Sequence, residues 1–191
     1  MTTSKIAKMS GTKIPRTKQP TMKQATIKQS LIFVTVGNGR FDPLVQLIDN
    51  LKAQGHIPEE VIIQVGHGSF KPEHCRWFDF EPSLDAYYER ADLIISHGGP
   101  GIVFEVLRRG KKLIAVPNRD RTDPRHQVEY LQAMAKETSA LIYCDNVKML
   151  QECLEKARRQ SFEKYHPPPC KIADEITAYL NKNQKNSKDQ G

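Results

Sequence analysis

Residues 91–118 read ADLIISHGGPGIVFEVLRRGKKLIAVPN, and this stretch decides the fold class. The run 92–96 is short and mostly apolar, the pattern of a strand buried on both faces. His97-Gly98-Gly99-Pro100-Gly101 breaks it, 102–109 reads as a helix closed by Gly110, and 112–116 reads as a second strand ended by Pro117. A strand, a tight glycine turn, a helix and another strand make a βαβ unit, and the two strands of such a unit run parallel.

The same alternation continues outward. Towards the N-terminus, 31–36 is an apolar strand punctuated by Gly37-Asn38-Gly39-Arg40. Asp42-Pro43 offers an N-cap and a first-turn proline, Leu44, Leu47, Ile48 and Leu51 follow at helical spacing, and Gly55 stops the helix. A second strand is expected at 61–65, a short third at 76–80 and a short helix at 83–90. Towards the C-terminus the pattern predicts a helix over 124–137, a strand at 140–143, a helix over 147–159 and a last helix near 172–180. Pro167-Pro168-Pro169 separates those last two. The prediction is an α/β protein: a Rossmann-like open parallel sheet with helices on both faces.

Charge is uneven along the 191 residues. Lys and Arg number 29 against 22 Asp and Glu, a net +7, and seven of the basic side chains lie in residues 1–30, which hold no acid. The rest of the chain is neutral, so the basic excess does not belong to the fold. That argues against nucleic acid as the main partner. Residues 1–30 show no hydrophobic period and are expected to be a disordered basic arm, with 31–180 as the folded domain and 181–191 as a disordered tail. The arm has the charge to touch anionic lipid head groups. No stretch approaches 18 apolar residues, so no membrane span is expected, and no apolar block marks a secretory signal. Cys75, Cys144, Cys153 and Cys170 are scattered, as structural thiols of a cytoplasmic protein would be.

In an open parallel sheet, ligands bind beyond the carboxyl ends of the strands. Three glycine-rich loops follow strands here, at 37–39, 66–68 and 98–101, and would gather on one rim. The turn Gly98-Gly99-Pro100-Gly101, followed by Ile102, opens a helix. Its glycines allow close backbone approach, and its free N–H groups and positive dipole end suit a phosphate. Glu105, one turn further on, is placed to accept hydrogen bonds from a ribose diol. At the end of the next strand come Pro117, Asn118 and Arg119, then further Arg and Asp side chains, then His126 and Gln127. Arginines suit a diphosphate, and His126 and Gln127 can donate to sugar hydroxyls. The alternative is a solvated Asp-Pro helix start.

His97 could donate to a phosphate, act as a base, or close the strand end through the backbone; positioning is favoured over proton transfer. His67 is a second rim candidate, whereas His56, His74 and His166 read as surface. Trp77, Phe78 and Phe80 read as core or interface. Neither the P-loop nor the G-x-G-x-x-G signature is present, no metal-ligand spacing occurs, and no Ser or Cys sits in a nucleophile elbow.

Three segments, IFVTVGNGRFDPLVQLID at 32–49, the stretch 91–118 and DPRHQVEYLQAMAKE at 123–137, resemble in order the C-terminal donor domain of family 28 glycosyltransferases. The resemblance covers about residues 31–180. It is nearest to the small stand-alone form, the soluble subunit of a two-subunit dolichol-linked N-acetylglucosaminyltransferase, with short bacterial exopolysaccharide counterparts. What it implies is one half of a GT-B fold that takes a UDP-sugar as donor substrate, with no cofactor and no metal. It implies that Gly98–Gly101 holds the diphosphate, Glu105 the ribose, and His126-Gln127 the donor sugar. The loop with Gly37 and Asn38, together with His97, would line the catalytic cleft. The sequence departs from the family pattern at Ile102, where a hydroxyl residue is common, and at Asn38-Gly39. A single domain leaves the acceptor half to another chain. The expectation is therefore a donor subunit recruited to the inner face of a membrane by a membrane-anchored, acceptor-binding partner, moving a sugar such as N-acetylglucosamine to a lipid-linked acceptor. A non-catalytic nucleotide-binding or scaffold subunit is the other reading.

Overall fold

A computed structural model of the chain describes residues 29–119 and 124–167, with 172, 175–177 and 179 beyond them. Six strands, β1 (Leu31–Thr35), β2 (Glu60–Gln64), β3 (Arg76–Phe78), β4 (Leu93–Ser96), β5 (Lys112–Ala115) and β6 (Leu141–Tyr143), form one sheet in the order β3-β2-β1-β4-β5-β6. Every neighbouring pair is parallel. Five helices connect or follow them: α1 (Asp42–Ala53), α2 (Asp85–Arg90), α3 (Pro100–Arg108), α4 (Pro124–Glu137) and α5 (Leu150–Arg159).

The strands are apolar throughout because both faces of the sheet are covered. Ile32, Val34, Ile63, Ile95 and Ile114 point to one side, into a cluster with α1 and α5 that includes Leu44, Ile48 and Leu154. Leu31, Phe33, Ile62, Ile94 and Leu113 point to the other, against Tyr88 of α2, Val103 and Leu107 of α3 and Leu131 of α4. The period of two along each strand thus feeds two cores rather than one core and a wet face. Phe33 stacks on Tyr87 at 5.0 Å and meets Tyr88 edge-on at 5.7 Å, so its ring anchors α2 to the sheet.

Several boundaries differ from the sequence reading. Helix α3 begins at Pro100, two residues early, because proline at the first helical position costs no hydrogen bond. Asp42 is not the cap of α1. Phe41 holds that position, and the Asp42 carboxylate instead accepts from Ser69 N, Ser69 Oγ (2.7 Å) and Phe70 N, strutting the loop after β2. The helix expected over 147–159 divides into a 3-10 turn, Val147–Met149, and the α-helix α5 that follows it. Trp77 (39% exposed) and Phe80 (43%) lie outside the core, and only Phe78 joins the Phe33 cluster. The basic arm over 1–28, Asp120–Asp123, Cys170 and the tail lie outside the described residues, as does most of the helix expected near 172–180.

Candidate functional site

β1 and β4 are neighbours in the sheet, yet the chain leaves β1 towards β2 on one side and leaves β4 towards β5 on the other. Their carboxyl ends therefore flank the point where the winding reverses, the place where open sheets bind ligands. At β1 this end is built by a buried polar pair. Thr35 donates its hydroxyl to Gln64 Oε1 at 2.6 Å, and Gly37 N donates to Thr35 Oγ1 at 3.2 Å. That turns the chain sharply, with Gly37 at φ +62°.

The three loops pack on one another. A Cβ placed on Gly37 would lie 3.0 Å from His97 Cε1 and 3.2 Å from Ile102 Cδ1. One placed on Gly66, at φ +57°, would lie 2.4 Å from Gly39 O and 2.7 Å from Gly37 O, and His67 N donates to Gly39 O at 2.9 Å. Gly66 is required because backbone meets backbone there, and Gly37 because the His97 and Ile102 side chains close over it. Asn38 and Arg40 are exposed on top of this stack.

His97 is 7% exposed. Its ring edge lies against both Gly37 and Gly99; a Cβ on Gly99 would come 2.5 Å from its Nε2. The imidazole is wedged between the β1 loop and the start of α3, and its backbone N donates to Thr35 O. Gly98, at φ +77°, turns the chain past Leu131 of α4, whose Cδ1 would be 2.5 Å from an added Cβ. Gly99 is the N-cap of α3 and Pro100 its first residue. No side chain caps this helix, its first turn holds no acid, and a Cβ on Gly101 would meet nothing within 4 Å. The positive end of α3 is therefore bare and open beside the switch point, the arrangement that suits an anion.

A second wall comes from the end of β5. Asn118, 4% exposed, donates its side-chain Nδ2 to Arg40 O at 2.8 Å, and its backbone N donates to Gln127 Oε1 at 3.1 Å. Pro117 is buried beside it, Gln127 is 8% exposed, and His126 stands exposed at the same helix start. The structure thus brings together Gly37, Asn38, His97, Gly98, Gly99, Pro100, Gly101 and Ile102, with Pro117, Asn118 and Gln127 adjoining.

Two expected residues are engaged elsewhere. Glu105 accepts from Arg109 at 3.1 Å, and the same guanidinium bonds Asp85, so this carboxylate is tied towards α2. The buried Tyr88 phenol beneath them is pushed up to about 12 by burial and by Glu105. Arg119 donates to Asp145 O and to Asp145 Oδ1 at 2.7 Å. It lines a cleft of about 410 Å³ between α1 and the loops after β5 and β6, on the α1–α5 face.

Sequence reasoning missed the struts under the site. The signal for Thr35–Gln64 is a polar residue at the matching end of two apolar runs, which the strand register pairs. Asp49 sits on the apolar face of α1, 3% exposed, and accepts from Glu73 N, His74 N (2.8 Å) and His74 Nδ1. His74 lies at the surface, as expected, and is bonded there to Asp49. Burial alone would raise the Asp49 carboxyl, but these donors hold it below its ordinary value. Among the described residues, no group of three or more His, Cys, Asp or Glu side chains is placed to hold a metal ion.

The geometry has counterparts. A glycotransferase of kitacinnamycin superposes with a TM-score of 0.52 at 19% identity, covering 69% of this chain and 35% of that one. CalG4, the calicheamicin glycosyltransferase, gives 0.51 at 18%, covering 67% and 34%. At such identities the likeness concerns the fold, which is one Rossmann-like half of a GT-B arrangement. In sequence, the human protein named UDP-N-acetylglucosamine transferase subunit ALG13 is 34% identical over 124 residues, 59% of this chain and 11% of that protein. The chain thus matches only about a tenth of that relative's length. The profile of the glycosyltransferase family 28 C-terminal domain matches residues 31–186, which takes in the whole sheet, the α3 turn and the α4 wall, and the chain belongs to that family.

Proposed function

We propose that this chain is the donor-binding subunit of a two-subunit, inverting transferase that moves N-acetylglucosamine or a similar sugar from its UDP-sugar to a lipid-diphosphate acceptor. The observation that carries this reading is the uncapped, acid-free start of α3 opening at the switch point between β1 and β4. In this reading the diphosphate lies against the turn Gly98–Gly101, the donors being the N–H groups of Gly99, Gly101 and Ile102, since Pro100 has none and Gly98 N donates to Ser96 Oγ, and Glu105 serves the ribose. His126 and the free end of Gln127 face the donor sugar, Pro117 and Asn118 form its wall, and Arg119 swings from Asp145 towards phosphate. His97 and the Gly37-Asn38 loop border the reacting carbon. His97 acts by holding loops apart rather than by moving a proton.

Such a site contributes positioning and stabilisation of the departing UDP, while the acceptor and the general base come from a second chain. No described helix is long and apolar enough to cross a membrane, so in this reading the partner supplies the anchor and recruits the chain to the inner face. The relatives' printed name, a transferase subunit, favours the same division of labour.

The test is a ligand-observed NMR titration of the chain with UDP, ADP and GDP, with Glu105→Ala alongside. UDP-selective binding that Glu105→Ala weakens supports the donor site. Absence of binding to both the chain and its co-purified complex refutes it. The scaffold reading draws on the Glu105–Arg109 pair and on Ile102, and it predicts that Glu105→Ala leaves transfer by the complex intact.

A further inference from the structure

We infer that Asn118 and Gln127 are positioning residues: together they form a bracket that fixes the β1 loop against the start of α4, across the exit from β4. This deepens the donor-site reading and rests on it for its functional meaning, since that reading counts both residues as ligand contacts.

The geometry is carried by register. Ser96 at the end of β4 pairs with Thr35 of β1 on one side and Ala115 of β5 on the other. Two strand spacings therefore separate β1 from β5, on the order of 9–10 Å. Asn118 lies three residues past Ala115, and its side chain closes that gap by donating to Arg40 O, five residues past Thr35. The link spans the line of β4, where the chain leaves through His97 and Gly98. Gln127 extends it, because its Oε1 accepts from Asn118 N. Arg40 O, Asn118 and Gln127 are thus one hydrogen-bonded series from the first loop to the fourth helix.

Both residues are more than nine-tenths buried, and both spend a side-chain polar atom on a main-chain group. An amide suits position 118 because a donor must reach a carbonyl there. A carboxylate cannot donate and would face an oxygen. At 127 only an acceptor is needed. The two positions therefore differ in which conservative change they tolerate, and that asymmetry separates a bracket from a generic buried contact.

Amide hydrogen exchange on the full chain tests it. The reporters are Gly37, whose N–H donates to Thr35 Oγ1, and His67, whose N–H donates to Gly39 O. Cys144, whose N–H donates to Ala115 O, is the reference. Asn118→Asp, Asn118→Ser and Gln127→Leu are each expected to speed exchange at Gly37 and His67 roughly tenfold relative to Cys144, the size of one buried hydrogen bond. Gln127→Glu, which keeps the acceptor, is expected to leave the reporters within about twofold. Equal acceleration at all three amides would mean a contact that merely stabilises the fold, and no acceleration at Gly37 and His67 would mean that nothing is bracketed; either overturns the inference. UDP is then titrated as the probe. A UDP affinity that falls together with faster loop exchange in Asn118→Asp supports positioning, a tenfold loss without faster loop exchange overturns it in favour of direct contact, and unchanged affinity despite faster exchange overturns the bracket's role in the site. A wild-type chain that fails to bind UDP refutes the donor-site reading, while the exchange pattern still decides the bracket.

Discussion

Replacing Gly66 by alanine tests whether the first and second loops form a rigid stack. Two penalties apply. Gly66 has φ +57°, where an alanine costs about 1–2 kcal/mol. The new Cβ would also lie 2.4 Å from Gly39 O and 2.7 Å from Gly37 O, both main-chain atoms that cannot rotate away. Overpacking of this kind adds roughly 1–3 kcal/mol. Gly55 and Gly110 separate the two, because each has a positive φ (+78° and +66°) while an added Cβ meets nothing within 4 Å. Gly55→Ala and Gly110→Ala therefore carry only the backbone penalty. At about 2–4 °C per kcal/mol for a chain of this size, they should lower Tm by about 2–8 °C, and Gly66→Ala by about 4–20 °C. Thermal melts followed by circular dichroism give the comparison, and UDP titration of the same samples asks whether the displaced Gly37–Gly39 loop weakens binding. If Gly66→Ala melts with Gly55→Ala, the first loop yields at no cost, and the reasoning that treats the stacked loops as a rigid wall is wrong.

Gly101→Ala should leave Tm unchanged or raise it slightly, since alanine is the better helix former by up to about 1 kcal/mol, yet weaken UDP binding because its methyl enters the open space over the turn; unchanged UDP affinity would move the anion away from α3. Asp49 has a lowered carboxyl pKa, so its contribution is fully present above its ordinary value of 3.8 and disappears as pH falls through the lower folded-state value. Urea unfolding of wild type and Asp49→Asn should accordingly converge below about pH 4 and differ most near neutrality; a constant gap would assign the effect to shape rather than charge. Phe33→Ala should cost about 3–5 kcal/mol in the same assay, because the ring packs on Phe78, Tyr87 and Tyr88 at once. A loss under 1 kcal/mol would mean that α2 is held by other contacts.

The architecture was legible because parallel strands covered on both faces must be apolar runs, and helices between them must show a 3.6 period. Residues 31–36 and 112–116 obey the first rule and α1 the second, so strand order aside, the layers followed from pattern. The α3 turn was legible for a related reason: only glycine serves at Gly98, where φ is positive and Leu131 fills the space of a side chain. What pattern could not convey is where a polar side chain turns. Asp42 fits a helix-capping signature but bonds Ser69 and Phe70, 27 and 28 residues away. Glu105 and Arg119 have the chemistry expected of ribose and phosphate contacts, but the partners they hold come from elsewhere: Arg109 one turn along the same helix, with Asp85 of α2 behind it, and Asp145 in the loop after the neighbouring strand β6. Asp85 and Asp145 are set by tertiary packing, which no local window contains.

Ile102 departs from the family pattern at the third position of α3. A hydroxyl at the third position of α3 could add a hydrogen bond to an anion, and its loss leaves the backbone N–H groups to do so. The isoleucine is not idle, however. Its Cδ1 lies where a side chain on Gly37 would be, next to His97 Cε1, so it fills the space beneath the β1 loop with apolar surface. The same loop is held from below by Thr35 Oγ1, from the side by the Gly66 turn, and from across β4 by Asn118. Four independent contacts on five residues are more than a surface loop needs for its own stability, and each comes from a different strand end or helix start. Under the proposed function, a loop held at so many points needs little ordering when ligand arrives, and a site that contributes positioning gains from such a wall because ordering it on binding would cost affinity. In the proposed donor site, Ile102 thus forgoes one ligand hydrogen bond and packs the β1 loop instead. Ile102→Thr should consequently tighten UDP binding while speeding hydrogen exchange at Gly37, and a variant that moved both in the same direction would refute that account.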